Sequence, residues 1–195
     1  MTDDLAKLFG SAARVKLLRL FLFNPRQSFT VAEASDRARV SEAEARHETT
    51  LFERIGLVER ATRGKGIRFA LNTSFEYVTA LQNLLLNAPA RSADIVSRLR
   101  GIGSLKMVVL SGVFVEEWTG RLDILIVGDK MQERKLRERI RQLEAEIGKE
   151  MKYALLTSEE LTYRLNMNDK LIRDVLDYPH KVVLDRLNFG RKQSL

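Results

Sequence analysis

The sequence has no cysteine, which excludes disulfides, thiolate zinc sites and thiol-based redox or metal sensing. It also lacks a long apolar run. The longest mainly apolar stretch, Met107 to Val115, is interrupted by Ser111 and falls far short of the roughly 20 residues a membrane-spanning helix requires. The opening MTDDLAKLFG is acidic where a secretory signal would be basic. The expectation is a cytoplasmic protein without a membrane anchor. With 45% hydrophobic and 30% charged residues, the 195-residue chain suits one large or two small globular domains. Its net charge of +7 is spread evenly. There are 13 Lys and Arg against 9 Asp and Glu up to Asn72, and 20 against 17 beyond it. A mildly basic balance in both halves is compatible with nucleic-acid binding and does not by itself argue for it.

Periodicity organises what is present. Leu5, Leu8, Phe9, Ala12, Val15, Leu18 and Leu22 recur at helical steps, predicting one amphipathic helix from Asp3 to about Phe23, ended by Asn24-Pro25. Within it, FGSAAR reads as helix interior. A short helix fits Thr30 to Ala38, with Thr30 as its cap. Ser41 and Glu44 have capping-box spacing and open a third helix that stops at Gly56. The period then changes. Leu57 to Arg60 and Ile67 to Leu71 flank ATRGKG as two short strands around a glycine-containing loop, a hairpin pattern.

A further helix is expected from Ser74 to Leu86, and Asn87-Ala88-Pro89 marks a boundary between residues 1–88 and 89–195. Beyond it come a short helix from Ser92 to Arg100, strands at Lys106–Leu110 and Leu122–Val127, and a helix at Lys130–Ile147. A strand at Tyr153–Leu156, helices at Ser158–Asn166 and Lys170–Leu176, and a closing strand at Val182–Leu184 complete the expected order. The fold class is α+β, a helical unit with a hairpin followed by a small mixed sheet with packed helices.

The stretch VAEASDRARVSEAEARHETTLFERIGLVERATRGKGIRFAL resembles the winged helix-turn-helix domains of ArsR-like transcription regulators over about Leu5 to Leu71. The turn at Arg39-Val40, the capped helix at Ser41, the phrase RIGLVER and the basic loop carry the resemblance. In such domains the third helix enters the major groove. Ala45, Thr49 and Phe52 then face inward. Ser41, Glu42, Ala43, Arg46, His47 and Thr50 are candidates for contact with duplex DNA, as are Arg60, Arg63, Lys65 and Arg68 around the hairpin. Glu42, Glu44, Glu48 and Glu53 on the same helix would repel phosphates if they faced the backbone.

LSGVFVEEWTGRLDILIVGD is similar to the core of the polymerase-beta-like nucleotidyltransferases, and the likeness extends from about Lys106 to Leu184. The resemblance implies a Gly-Ser turn for a triphosphate and carboxylates for magnesium. This chain departs at both places. Ser111-Gly112 reverses the turn, and Arg121 stands where the first carboxylate belongs, with Asp123 at the second. A permanent cation opposes a bound metal. The expected unit is therefore nucleotidyltransferase-like without transfer activity, holding no metal and no cofactor. Glu116 or Glu117 supplying the missing ligand is the rival reading, and Asp123 alternatively pairs with Arg121. Ser111, Gly112, Arg121 and Asp123 outline a cleft for a nucleotide or other anion, with Trp118 beside it. The helix ERKLRERIRQLEAEI interleaves its cations with glutamates, as a solvated face does.

The function expected from these readings is a DNA-binding transcriptional regulator acting as a homodimer, since paired half-sites double the contacted surface. The second unit would serve dimerisation or ligand sensing. Two alternatives stand beside it: an active nucleotidyltransferase, and an antitoxin-like protein-interaction module.

Overall fold

The computed structural model describes residues 4–61, 66–86, 92–115, 117 and 120–188. The chain is α+β with two small sheets among these residues. It divides into two compact units, residues 1–89 together with Arg141–Glu150, and residues 90–140 together with Met151–Leu195.

In the first unit the expected single N-terminal helix is two, α1 (Asp4–Leu8) and α2 (Ala12–Leu22). Gly10 adopts φ +72, a left-handed conformation that ends a helix at little cost. Ser11 is extended, and its side chain accepts a hydrogen bond from the Arg14 amide, capping α2. FGSAAR is thus a helix break and a new start, because the serine hydroxyl competes for an amide that a continuous helix would use. From Leu17 to Leu22, every residue of α2 is buried.

β1 (Ser28–Phe29) leads into α3 (Val31–Ala38), which begins with a capping box between Thr30 and Glu33. α4 (Glu42–Arg54) begins with a second, between Ser41 and Glu44, and gives way to Gly56 at φ +82. β2 (Val58–Ala61) and β3 (Arg68–Leu71) pair antiparallel with Val58 opposite Leu71. β1 lies on the other side of β3, giving the order β1-β3-β2. Phe21 at the centre meets Phe29 and Phe52 edge-on, with ring centroids 5.8 and 6.3 Å apart. α5 (Val78–Leu86) starts four residues later than expected, after turns in which Asn72 O and Phe75 O accept from the Phe75 and Val78 amides. Gln82 fastens it to α2 by donating to Leu22 O at 2.8 Å.

The second unit opens with α6 (Ser92–Arg98) and β4 (Ser104–Leu110), followed by a 3-10 turn at Gly112–Val115 and β5 (Ile124–Asp129). Then come α7 (Glu133–Ile147), β6 (Tyr153–Leu156), α8 (Ser158–Asn166), α9 (Lys170–Leu176) and β7 (Lys181–Asp185). The sheet order is β6-β5-β4-β7. β4 is antiparallel to both β5 and β7, whereas β5 and β6 are parallel and require the helical crossover that α7 supplies. Met107, Val109, Leu125, Val127, Leu161, Ile172 and Val175 form its core. The division between the units falls inside α7, after Ile140.

Candidate functional site

α4 has a buried side and an exposed side. Ala45, Thr49 and Phe52 are at most 1% exposed, as their spacing predicts. Glu48 is buried with them. The Arg14 guanidinium grips its carboxylate with two bonds, Nε to Oε2 at 2.8 Å and Nη2 to Oε1 at 3.2 Å. One of the four acids is thereby withdrawn from the outer face. Glu44 is held at the helix start, where the Ser41 hydroxyl and amide lower its carboxyl below the usual glutamate value. Ser41 is correspondingly a cap, its oxygen accepting from the Glu44 amide at 3.2 Å.

The exposed side carries Glu42, Ala43, Arg46, His47 and Thr50. Arg46 rests against Glu42 at 3.0 Å, and both side chains are more than half exposed. Such an i,i+4 pair contributes only about 0.3–0.5 kcal/mol, so Arg46 is readily released to a stronger anion. The Thr50 hydroxyl donates to Arg46 O at 2.8 Å. Arg54, exposed at the end of α4, lies on the same face four residues beyond Thr50. The sequence reading left it out, although the period that selected Arg46 and Thr50 reaches it.

The hairpin cations separate into different roles. Arg60 is exposed and lies 2.6 Å from Glu53. Arg68 is a clamp instead. Its Nη2 donates to Ser28 O and to Glu33 Oε2, both at 2.6 Å, and its Nε donates to the Ser28 hydroxyl at 3.0 Å. Arg68 thus joins β3 to β1 and to the first turn of α3. Glu33 is held ionised by the Thr30 amide and then by Arg68, which lower its carboxyl below the usual value. Arg63 and Lys65 lie outside the described residues.

In the second unit a cavity of about 440 Å³ is lined by Ser111, Arg121, Lys170, Asp174 and Tyr178, among others. Gly112 and Asp123, expected in the cleft, are not part of its lining. Asp123 is 4% exposed and spends both oxygens on backbone: Oδ1 accepts from Val113 N at 2.9 Å and Oδ2 from Lys152 N at 2.7 Å. Gly112 lies so close that a Cβ there would stand 2.1 Å from Asp123 Oδ1. The reversed Ser-Gly pair thus folds over a buried carboxylate, and the Ser111 amide donates to Asp123 O at 2.8 Å.

Arg121 does not pair with Asp123. Its Nε lies 3.1 Å from Asp174 Oδ2, on α9. Asp129 is occupied at the start of α8, accepting from Ser158 N at 3.0 Å and the Ser158 hydroxyl at 2.9 Å. These bonds, the amide first, lower its carboxyl below the usual aspartate value. Glu116 and Trp118 lie outside the described residues. Among the described residues no three His, Asp or Glu side chains converge as a metal site, and no helix is long and apolar enough to cross a membrane.

No family model and no curated protein matches the chain. Among solved structures, reduced HlyU from Vibrio cholerae N16961 is similar at 21% identity, over 41% of this chain and 83% of that one, with a TM-score of 0.31. A superposition that poor carries no weight. Any functional reading must come from the site.

Proposed function

We propose that this protein is a sequence-specific, double-stranded-DNA-binding transcriptional regulator whose first unit is a winged helix-turn-helix and whose α4 enters the major groove. The carrying observation is the outer face of α4, where Ala43, Arg46, His47, Thr50 and Arg54 are exposed while Glu48 is turned inward by Arg14 and Glu44 is held in a cap. A helix of 13 residues, about 20 Å long, fits a groove about 12 Å wide. Arg46 offers a two-pronged donor to guanine. The order β1-α3-α4-β2-β3, with β1 beside β3, supports the winged-helix reading by placing the hairpin directly after the recognition helix. In this reading Arg60, Arg63 and Lys65 approach phosphates or the minor groove, while Arg68 and Ser41 stabilise the unit. A homodimer in the cytoplasm, reading two half-sites about 34 Å apart, completes the proposal.

The second unit is read as a nucleotidyltransferase-like fold without transfer activity. Asp123 supports this, since a carboxylate with both oxygens on backbone amides has little left for magnesium. The cavity, lined by Arg121 and Lys170 together with Glu117 and Asp174, supports a role in sensing a small ligand, with dimerisation as the alternative. Selection of bound fragments from random duplex DNA tests the main reading. Enrichment of a two-half-site motif, with an affinity reduced about 10- to 100-fold by Arg46→Ala, is the expected result. Failure to enrich any motif refutes it.

A further inference from the structure

α7 presents two chemically distinct faces. Leu136, Ile140, Leu143 and Ile147 are no more than 3% exposed. Arg134 and Arg141 lie on the opposite side, with Lys135, Arg137 and Arg139 exposed on the flanks, beside only two exposed acids, Glu133 and Glu138. The acids at the far end, Glu144 and Glu146, are partly buried. Arg137 is matched by Glu133 at 3.4 Å. Arg134, Lys135 and Arg141 have no hydrogen-bonding or ion-pairing partner among the described residues. The interleaving of charges in the sequence is therefore unequal in space: the cations are exposed, and half of the acids are only partly so.

We infer that this face of α7 binds the phosphates of duplex nucleic acid without reading sequence, as a contact separate from α4. Chemistry selects the partner. An amphipathic helix that enters a membrane interface must offer its apolar side to lipid, and that side of α7 is buried. A protein partner would call for aromatic or apolar anchors at the centre of the surface, and the exposed face has none. Single strands are held by stacking on aromatic rings, which this face also lacks. The three unpartnered cations Arg134, Lys135 and Arg141, spread over about 10 Å of helix, complement a duplex that carries one charge per about 1.7 Å.

The test uses the full-length chain and a fluorescein-labelled duplex of random sequence, followed by anisotropy across a salt series. The variant R134Q/K135Q/R141Q keeps helix-forming side chains at three exposed positions, and circular dichroism verifies its fold. The salt slope of log K should become shallower by about 2 to 3, and random-duplex affinity at low salt should fall at least about 10-fold. Unchanged slope and affinity in the triple variant overturn the inference, even if Arg46→Ala abolishes motif binding and so upholds the α4 reading. Loss of random-duplex binding in a protein that selects no motif upholds the inference and refutes the α4 reading. Retention on phosphatidylserine vesicles with no duplex binding overturns both.

Discussion

Gly148→Ala isolates what a ten-residue segment from late in the chain does for the first unit. Gly148 follows α7 with φ +79, its amide donating to Glu144 O at 2.7 Å. A Cβ there would lie 2.4 Å from Arg19 C, 2.6 Å from Arg19 Cβ and 2.7 Å from Leu20 N. Two of these neighbours are backbone atoms of α2, which has no room to yield: Arg19 and Leu20 are each 2% exposed. The left-handed conformation costs an alanine about 1–2 kcal/mol. Forcing a methyl into packed backbone adds about 1–3 kcal/mol. If the segment backs away instead, Asn24 Nδ2 loses Gly148 O at 2.6 Å and Arg19 Nη1 loses Glu146 O at 3.1 Å. An orphaned buried donor costs a comparable amount, about 1–3 kcal/mol.

Either route gives a loss of about 2–5 kcal/mol, or a fall in Tm of about 5–15 °C for a chain of this size. Gly56→Ala is the control. Gly56 also follows a helix, has φ +82 and has nothing within 4 Å of its Cβ position, so it reports the conformational cost alone. Urea unfolding followed by circular dichroism, with calorimetry, measures both variants. If Gly148→Ala costs no more than Gly56→Ala, the close approach to α2 is not a real constraint and the reasoning fails.

Glu48→Ala should destabilise by about 1–3 kcal/mol, because the partly exposed Arg14 guanidinium loses its two bonds to the carboxylate, whereas Arg46→Ala on the opposite side of α4 should change stability by less than about 0.5 kcal/mol; parallel urea titrations compare them. Asp123→Ala should lower stability by about 2–4 kcal/mol by leaving the Val113 and Lys152 amides without their acceptor, and incubation with labelled ATP and magnesium should show no label transfer in parent or variant. Transfer by the parent that the variant loses would establish the enzyme reading instead. In acid, Glu33, Glu44 and Asp129 all have depressed carboxyl pKa values. Their contribution is therefore complete above their ordinary values, 4.5 for the glutamates and 3.8 for the aspartate, and is lost as pH falls through the lower folded values. Unfolding free energy should accordingly be level in these groups near neutrality and drop below about pH 4.5, with a smaller drop in the Glu33→Gln and Glu44→Gln variants.

Local chemistry made much of the secondary structure legible. Thr30 with Glu33 and Ser41 with Glu44 mark helix starts because each side chain satisfies an amide three residues away. β6, α8 and α9 have the bounds that their periodicity predicts. Gly10-Ser11 was equally local, but an unbroken apolar period concealed it. The roles of the charged residues were not legible in the same way. Glu48 is neutralised by Arg14, 34 positions earlier, and Asp123 is satisfied by hydrogen bonding to the Lys152 amide, 29 positions later. Arg68 is committed to Ser28 and Glu33, and Gly148 is fixed by α2. Helix and strand formation answers to neighbours within a turn or a pleat, and the sequence carries those in order. Whether a charge faces water or a partner depends on which distant segment folds against it, and only the tertiary structure brings that segment into place.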